Sequence, residues 1–289
     1  WGAGLAALGE PLPLDFPGTK SFLGVEIFPI AAAFLFGSIL GSFLNVVVHR
    51  LPREESLVHP RSRCPRCAAP ISWSDNIPML SWLALGGRCR HCRKPISARY
   101  PLVEAASGLL AAGLQRRWPG MPGWGAAAAL ACLALLAVAL IDWDTFLIPD
   151  ELSLGLAFSG ILFSPINPYF DAGGSWWLSA FWSARGALVG LAIGWGLATV
   201  GELIFKKEAL GGGDVKLLAG VGAWTGMLGA FDCLMIGSFV GSIYGVWLLA
   251  SGRAKRADPI PFGPFLACGA VFNFFQLLPL GWPLISPIP

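Results

Sequence analysis

The sequence predicts an all-α polytopic membrane protein with about eight transmembrane helices and a small cytosolic zinc-ribbon-like domain. Apolar side chains make up 55% of the 289 residues and charged side chains only 13%, with a mean hydropathy of +0.65. Glycine (37), proline (23) and tryptophan (13) are abundant, as expected in membrane helices and at membrane interfaces. This composition excludes a soluble globular protein. The lipid bilayer is the expected partner, no nucleic acid partner is expected, and the oligomeric state is left open.

Residues 1–48 are predicted to form an N-terminal lead-in and the first transmembrane helix. Residues 1 to about 22 have no periodic pattern and are expected to be irregular. The 22 uncharged residues of 27–48 are enough to cross about 30 Å of hydrocarbon at about 1.5 Å per residue. Because the chain begins with Trp1 rather than methionine, we expect it to be trimmed at this end, and no cleavable signal pattern is visible.

Residues 49–99 form a basic segment that interrupts the apolar runs. They contain ten of the 20 lysines and arginines, all three histidines and two CxxC pairs, which are Cys64 with Cys67 and Cys89 with Cys92. Two such pairs separated by 21 residues can supply four thiolates to one tetrahedral zinc ion, which would stabilise a domain with little core. Two disulfides or a redox dithiol are the alternatives. A cytosolic location disfavours disulfides, and the doubled pairs disfavour a single redox CxxC.

Residues 100–289 are predicted to form a membrane domain. Short polar breaks divide the chain into eight spans, at about 27–48, 100–115, 124–141, 152–167, 183–205, 215–228, 231–250 and 262–285. The sixth span is short and contains Gly226. We therefore expect this span, which directly follows Asp214, to be broken or re-entrant, and it is where a departure from regular helix is most expected.

The lysines and arginines predict the orientation of the chain. If residues 49–99 are cytosolic, sixteen of the 20 basic residues lie on the cytosolic side. Both chain ends then lie outside the cytosol.

Two aspartates at predicted membrane boundaries are candidates for catalysis. Asp142 is the first charge after a long apolar run, and Asp214 follows Gly211, Gly212 and Gly213. Both fall on the predicted cytosolic boundary, where an ionisable residue is a functional candidate. Two neighbouring carboxylates can share a proton and act as an aspartic protease dyad, but ion-coupled transport is an equally strong reading of the residues alone.

Other residues near these aspartates receive weaker assignments. Three consecutive glycines give backbone freedom and room for another chain to approach, so they are candidates for substrate binding. Lys216 is either a partner of the carboxylates or a positive charge set by orientation. Asp144 is predicted to be a supporting or loop residue. Asp150 and Glu151 are predicted to be acids of a first helical turn.

Several short motifs follow one another between about residues 36 and 270. They are the paired CxxC sequences together with the segments at 41–46 (GSFLNV), 75–78 (DNIP), 85–87 (LGG), 99–104 (RYPLVE), 142–150 (DWDTFLIPD), 211–218 (GGGDVKLL) and 260–265 (IPFGPF). Each motif is weak alone, but the ordered set is specific and resembles the type IV prepilin peptidase family.

The resemblance implies an inner-membrane GxGD aspartic protease with Asp142 and Asp214 as its catalytic pair. It implies removal of the basic leader of type IV prepilins, or of pseudopilins of type II secretion. It also implies S-adenosylmethionine-dependent methylation of the new amino terminus, supported by the cytosolic segment with its four zinc-associated cysteines. The methyl-donor site is unknown, and the candidates are the Gly86–Gly87 turn and Asn45, His49 and Arg50. The rival functions are a protease for other membrane helices and a zinc-ribbon transport or assembly protein.

Overall fold

The computed structural model describes residues 27–170, 174–206, 210–253, 255 and 258–275. Within these residues the chain forms eight α-helices and no named strand. The helices are α1 (Ile27–Arg50), α2 (Leu80–Ala84), α3 (Arg99–Arg117), α4 (Pro122–Thr145), α5 (Asp150–Leu162), α6 (Trp176–Phe205), α7 (Gly212–Ala250) and α8 (Gly263–Phe275). The predicted all-helical class is confirmed. The predicted lead-in and the end of the last span lie outside the described residues.

Small residues let the membrane helices pack closely. A Cβ atom added to Gly37 of α1 would lie 2.7 Å from the carbonyl oxygen of Ser107 in α3. One added to Gly186 of α6 would lie 2.2 Å from the carbonyl oxygen of Gly222 in α7. Such near-contact of backbones is typical of membrane helix pairs, in which van der Waals packing drives association.

Helix α7 is folded back on itself at Gly226. Its 39 residues would extend about 58 Å as one straight helix, roughly twice the hydrocarbon thickness. Gly226 has φ 73° and ψ −174°, a combination open essentially to glycine alone. We call residues 212–225 the first arm and residues 227–250 the second arm.

Contacts with α8 establish the direction of the two arms. Trp224 at the end of the first arm packs on Phe274 in the last turn of α8, and Asn273 donates a hydrogen bond to the carbonyl oxygen of Gly229. Farther along the second arm, Gly237 contacts Phe265 near the beginning of α8. The second arm therefore runs back along α8, and the sixth and seventh predicted spans are separate antiparallel helices.

Counted with the two arms and without the short α2, the described residues contain eight helical segments, one for each predicted span. Four helices are individually long and apolar enough to cross a membrane, namely α1, α4, α6 and α7. The fourth predicted span, 152–167, is only partly helical. Helix α5 ends at Leu162 and two short 3-10 turns follow, because Pro165 and Pro168 lack the N–H group that a continuing helix needs.

One end of the bundle, here called the aspartate end, carries both Asp142 and Asp214. There α1 and α4 end, while α3 and α5 begin. Two ion pairs cross this end, with Arg99 of α3 2.6 Å from Asp144 of α4 and Lys216 of α7 2.7 Å from Asp150 of α5. The cysteine-bearing segment between α1 and α3 therefore lies at the same end as the aspartates.

The cysteine-bearing segment contains two similar turns. In the first, the N–H of Cys64 donates to Ala69 and the N–H of Ala68 donates to Cys64; the second repeats both bonds with Cys89, Lys94 and Arg93. An isolated antiparallel bridge accompanies each turn. The two turns match a repeated R-C-x-x-C-x-x-P sequence, at 63–70 and 88–95, which the sequence analysis overlooked.

Candidate functional site

Asp142 lies in the last turn of α4 and is only 5% exposed. Its Oδ2 atom accepts a hydrogen bond of 2.8 Å from the backbone N–H of Gly263, the first residue of α8. The first N–H groups of a helix have no partner within the helix and favour negative charge. The start of α8 therefore holds the Asp142 carboxylate in place.

Asp214 lies in the first turn of α7, next to the three glycines. Gly211 is the N-cap residue, with an extended backbone, and Gly212 and Gly213 are the first helical residues. Oδ2 of Asp214 lies near Gly211: a Cβ atom added to this glycine would be 3.3 Å from Oδ2. The other carboxylate oxygen, Oδ1, is buried and has no hydrogen-bond partner. A buried carboxylate oxygen that lacks a donor is costly, so it is a candidate for binding water or substrate.

The break predicted in the sixth span occurs at Gly226, near the end of that span, and the helix is regular just after Asp214. Glycine costs little in a first turn because those N–H groups are unpaired in any helix. The glycines therefore open a helix next to Asp214 instead of forming an unwound loop.

The loop between α4 and α5 follows Asp142 in the chain and packs against the residue before Asp214. It begins four residues after Asp142, and its Ile148 packs on Gly213, where an added Cβ would lie 2.8 Å from the Ile148 Cβ. Both carboxylates thus lie at helix ends and are linked by the contacts of one loop.

The neighbouring charged residues have partners of their own. Lys216 donates to both carboxylate oxygens of Asp150 at 2.7 Å. Asp144 accepts from Arg99, whose guanidinium also contacts the carbonyl oxygen of Leu140. Lys216 is therefore engaged by α5 rather than by the two aspartates, and Asp144 joins α4 to α3.

The four cysteines of the CxxC pairs converge in space. Their sulfur atoms all lie within 4.8 Å of one another, and Sγ of Cys64 is 3.9 Å from Sγ of Cys92. A disulfide would need about 2.05 Å, whereas four sulfurs around one ion at about 2.3 Å are separated by distances near the observed one. The donor set and spacing fit a single tetrahedral metal ion.

Backbone N–H groups in the turns stabilise thiolates. Bonds from Arg66 and then Cys67 lower the pKa of the Cys64 thiol to about 6. Bonds from Cys92 and then His91 likewise lower the pKa of Cys89. Because the thiolate is the form that binds metal, these bonds favour the metal-binding state of Cys64 and Cys89.

The suggested methyl-donor residues lie at the aspartate end. The side-chain amide of Asn45 donates to the backbone oxygens of Gly41 and Tyr100, which joins α1 to α3. Gly86 and Gly87 both have positive φ, and an added Cβ at Gly87 would lie 2.8 Å from the ring of Trp82. The structural requirement for a turn is sufficient to explain Gly87.

Sequence reasoning missed two residues that contact the site or its surroundings. Gly263 was noticed only as part of a motif, yet it donates to Asp142 from 121 positions along the chain. Glu104 was likewise part of a motif, but it is a buried carboxylate, 8% exposed. An acid within an apolar helical pattern was the available signal for Glu104.

Comparisons with known proteins agree with this architecture. Residues 35–118 match the bacterial peptidase A24 N-terminal domain and residues 129–246 match the type IV leader peptidase family. Three similar proteins are named prepilin leader peptidase/N-methyltransferase. That of Aeromonas salmonicida (strain A449) is 40% identical over 260 residues, covering 81% of this chain and 86% of the relative.

The protein of Burkholderia pseudomallei (strain 1026b) is 38% identical over 275 residues, with 85% of each chain covered. That of Myxococcus xanthus (strain DK1622) is 43% identical over 249 residues, covering 82% of this chain and 69% of the relative. No solved structure matches the chain. The extent and identity of these matches show that the chain belongs to the type IV leader peptidase family.

Proposed function

We propose that this protein cleaves the leader peptide of type IV prepilins or pseudopilins and then methylates the new amino terminus with S-adenosylmethionine. The observation that carries the peptidase assignment is the pair of carboxylates, Asp142 and Asp214, at one end of a membrane helix bundle. The relatives' names support both activities.

The two carboxylates are suited to peptide hydrolysis. One accepts a proton from a water molecule, whose oxygen attacks the carbonyl carbon of the scissile bond, while the other donates a proton to the carbonyl oxygen. The tetrahedral intermediate collapses, the C–N bond breaks, and the leaving amine takes up a proton. Like charges held close together favour the state in which the pair shares one proton, which this division of roles requires.

We propose that the substrate backbone binds to the face of α7 beside Asp214. Gly211 and Gly212 are exposed, and an added Cβ at Gly212 would meet nothing within 4 Å. The unpaired N–H groups of this first turn can donate to an extended peptide. Gly213 instead lets Ile148 pack closely against α7. The ion pair between Lys216 and Asp150 supports a structural role for Lys216.

We assign the four cysteines, Cys64, Cys67, Cys89 and Cys92, to a structural zinc ion. The convergence of four sulfurs supports tetrahedral coordination, and a segment with few buried apolar residues gains stability from such an ion. In this assignment residues 1–48 are the lead-in and first helix, 49–99 the metal domain linked to methylation, and 100–289 the peptidase domain.

The aspartate end is proposed to face the cytosol from the bacterial inner membrane. Basic residues concentrate there, including Lys216 and the ten lysines and arginines of 49–99, one of which is Arg99, as the positive-inside rule requires. A prepilin leader is basic and precedes a hydrophobic helix, so its cleavage site would meet this end of the bundle.

The peptidase assignment is tested by separate Asp142→Asn and Asp214→Asn substitutions in the full chain, purified in lipid nanodiscs. Because general acid–base groups contribute about 10²–10⁴-fold to a rate, we expect leader removal from a synthetic prepilin to fall by at least about 10²-fold. Glu151→Gln, at an exposed first-turn acid of α5, is the control. Cleavage at the wild-type rate by either asparagine variant would refute the dyad.

A substrate panel separates this function from its rivals. The prepilin should be cleaved in preference to a signal peptide and to an unrelated membrane helix. Efficient cleavage of all three would instead identify a protease for membrane helices in general. Proton-coupled flux in liposomes, with no peptide product, would identify a transporter.

A further inference from the structure

A cavity of about 630 Å³ lies at the aspartate end, between the cysteine-bearing segment and the membrane helices. Its lining includes Asn45 and His49 of α1, Tyr100 and Glu104 of α3, and Trp82 and Cys89 of the intervening segment. Small-molecule sites usually enclose about 300–1,000 Å³. The cavity is large enough for a nucleoside-sized ligand.

Glu104 gives this cavity a buried negative charge. The side chain lines the cavity and is only 8% exposed, and its Oε2 atom accepts one hydrogen bond of 2.7 Å from the backbone N–H of Met79. Within the described part of the chain, the three ion pairs involve other residues. One neutral donor compensates a buried carboxylate poorly, so this site favours a cationic ligand.

The rest of the lining favours a cation that is weakly hydrated and attached to a larger polar molecule. The aromatic residues Trp82 and Tyr100 line the same cavity, and aromatic faces attract such cations. Arg63 and Lys94 also line it and can bind a ligand carboxylate. Arg90 is not assigned to the ligand, because its guanidinium already pairs with Asp75 through two hydrogen bonds of 2.6 and 2.8 Å and lowers the pKa of that carboxyl.

We propose that this cavity binds S-adenosylmethionine, with the sulfonium beside the carboxylate of Glu104. This inference rests on the proposed methyltransferase function. A sulfonium has no N–H donors to lose to water, so burying it beside a carboxylate costs less than burying an ammonium. The ligand's carboxylate would lie toward Arg63 and Lys94, and its adenosine would occupy the space beside the aromatic side chains.

The position of the cavity also fits the order of the two reactions. A small apolar cluster, formed by Leu44, Val48, Val103, Ala137 and Ile141, connects α1, α3 and α4 at this end. Ile141 is adjacent to Asp142, whereas Val103 is adjacent to Glu104. The cavity and the aspartates therefore lie at the same end of the bundle, on helices that this cluster packs together.

The test is equilibrium binding of tritiated S-adenosylmethionine and of S-adenosylhomocysteine, whose sulfur is neutral, to the full chain in nanodiscs. Wild-type protein should prefer the cationic donor. Glu104→Gln retains an oxygen that can accept a hydrogen bond from Met79 but loses the charge. We therefore expect the affinity for S-adenosylmethionine to fall at least about tenfold and the affinity for S-adenosylhomocysteine to fall much less. Glu54→Gln, an exposed acid outside the cavity lining, should leave both affinities within about twofold.

The possible outcomes are distinct. A selective loss of donor binding by Glu104→Gln, in a preparation that still cleaves leader peptide, supports the proposal. Unchanged donor binding overturns it, and so does an equal loss of both ligands, because that would indicate a structural role or recognition of the shared ammonium. If wild-type protein methylates a cleaved pilin while Glu104→Gln binds the donor normally, only the site is refuted. If wild-type protein neither binds nor methylates, the methyltransferase function itself has failed.

Discussion

A single backbone group positions one of the two proposed catalytic carboxylates. An added Cβ at Gly263 would lie 2.8 Å from Oδ2 of Asp142, the atom that the Gly263 N–H now holds. Gly263→Ala should therefore displace Asp142 without exposing core, and a displacement of about 1 Å can cost about 10²-fold in rate. We expect leader cleavage to fall by that order while the melting temperature in detergent changes little.

A glycine with open space around it is the matched control for Gly263. Gly196 of α6 has no atom within 4 Å of an added Cβ, so Gly196→Ala should retain cleavage. If Gly263→Ala cleaves as fast as wild type, the bond to Asp142 is not needed for catalysis.

Substitutions of the adjacent glycines Gly212 and Gly213 can distinguish a role in helix packing from a role in substrate binding. Gly213→Ala places a Cβ 2.8 Å from the Cβ of Ile148, whereas Gly212→Ala meets no atom within 4 Å. We expect Gly213→Ala to lower the melting temperature. Gly212→Ala should preserve it but raise the KM for prepilin severalfold. An unchanged KM for Gly212→Ala would show that the substrate backbone does not approach this face.

Sequence patterns identify the charged and sulfur-bearing residues of the candidate site but not the groups that position them. Asp142 and Asp214 are conspicuous because a carboxylate at a membrane boundary is unusual, and the CxxC spacing is recognisable by itself. The Gly263 N–H is a backbone group, which any residue except proline supplies. Its contact with Asp142 depends on how α8 docks on α4, and no local pattern encodes that docking.

At the scale of the element, the fold-back of α7 depends on one residue. Gly226 has φ 73° and ψ −174°, and strained backbone of this kind costs about 1–3 kcal/mol for other residues. Space is not the obstacle, since the nearest atom to an added Cβ belongs to Phe170 at 3.4 Å. Gly226→Ala should therefore lower the free energy of unfolding by about 1–3 kcal/mol, measured by unfolding in mixed micelles.

The control for Gly226 is a glycine in a regular, open position. Gly155 lies on the exposed side of α5 with no atom within 4 Å of an added Cβ. Gly155→Ala should be neutral or should stabilise the protein by up to about 1 kcal/mol. Equal effects of the two substitutions would mean that Gly226 has no special conformational role.

The sequence predicts the number of helical segments better than their lengths and the positions of their breaks. Long uncharged runs identified α1, α4 and α6, because crossing the bilayer imposes a minimum apolar length. A break was expected in the sixth span and occurs at Gly226. This span contains several glycines, and packing against α6 and α8 decides which of them leaves the helix. Proline explains the early end of α5, although the apolar run alone predicted a longer span.

At the scale of the whole molecule, the two proposed activities share one end of the bundle but use separate groups. Cys64 and Cys89 line the cavity, whereas Asp142 and Asp214 are not among its lining residues. Removal of the proposed zinc ion should therefore abolish methyl-donor binding and spare most leader cleavage. Elemental analysis of wild-type protein should show one zinc ion per chain, and Cys64→Ser should contain less.

The separation of the sites also predicts how the two reactions depend on each other. The methyl acceptor is the amine that cleavage releases, so Asp214→Asn should give no methylated product from an intact prepilin. The same variant should methylate a pilin supplied without its leader, because its donor cavity is unaltered. Cys64→Ser should show the opposite behaviour, with cleavage and no methylation. Mass spectrometry of both products measures each activity in one reaction. If Asp214→Asn also fails to methylate the shortened pilin while it still binds the donor, the two sites are coupled, and the cluster around Ile141 is the first place to look for the connection.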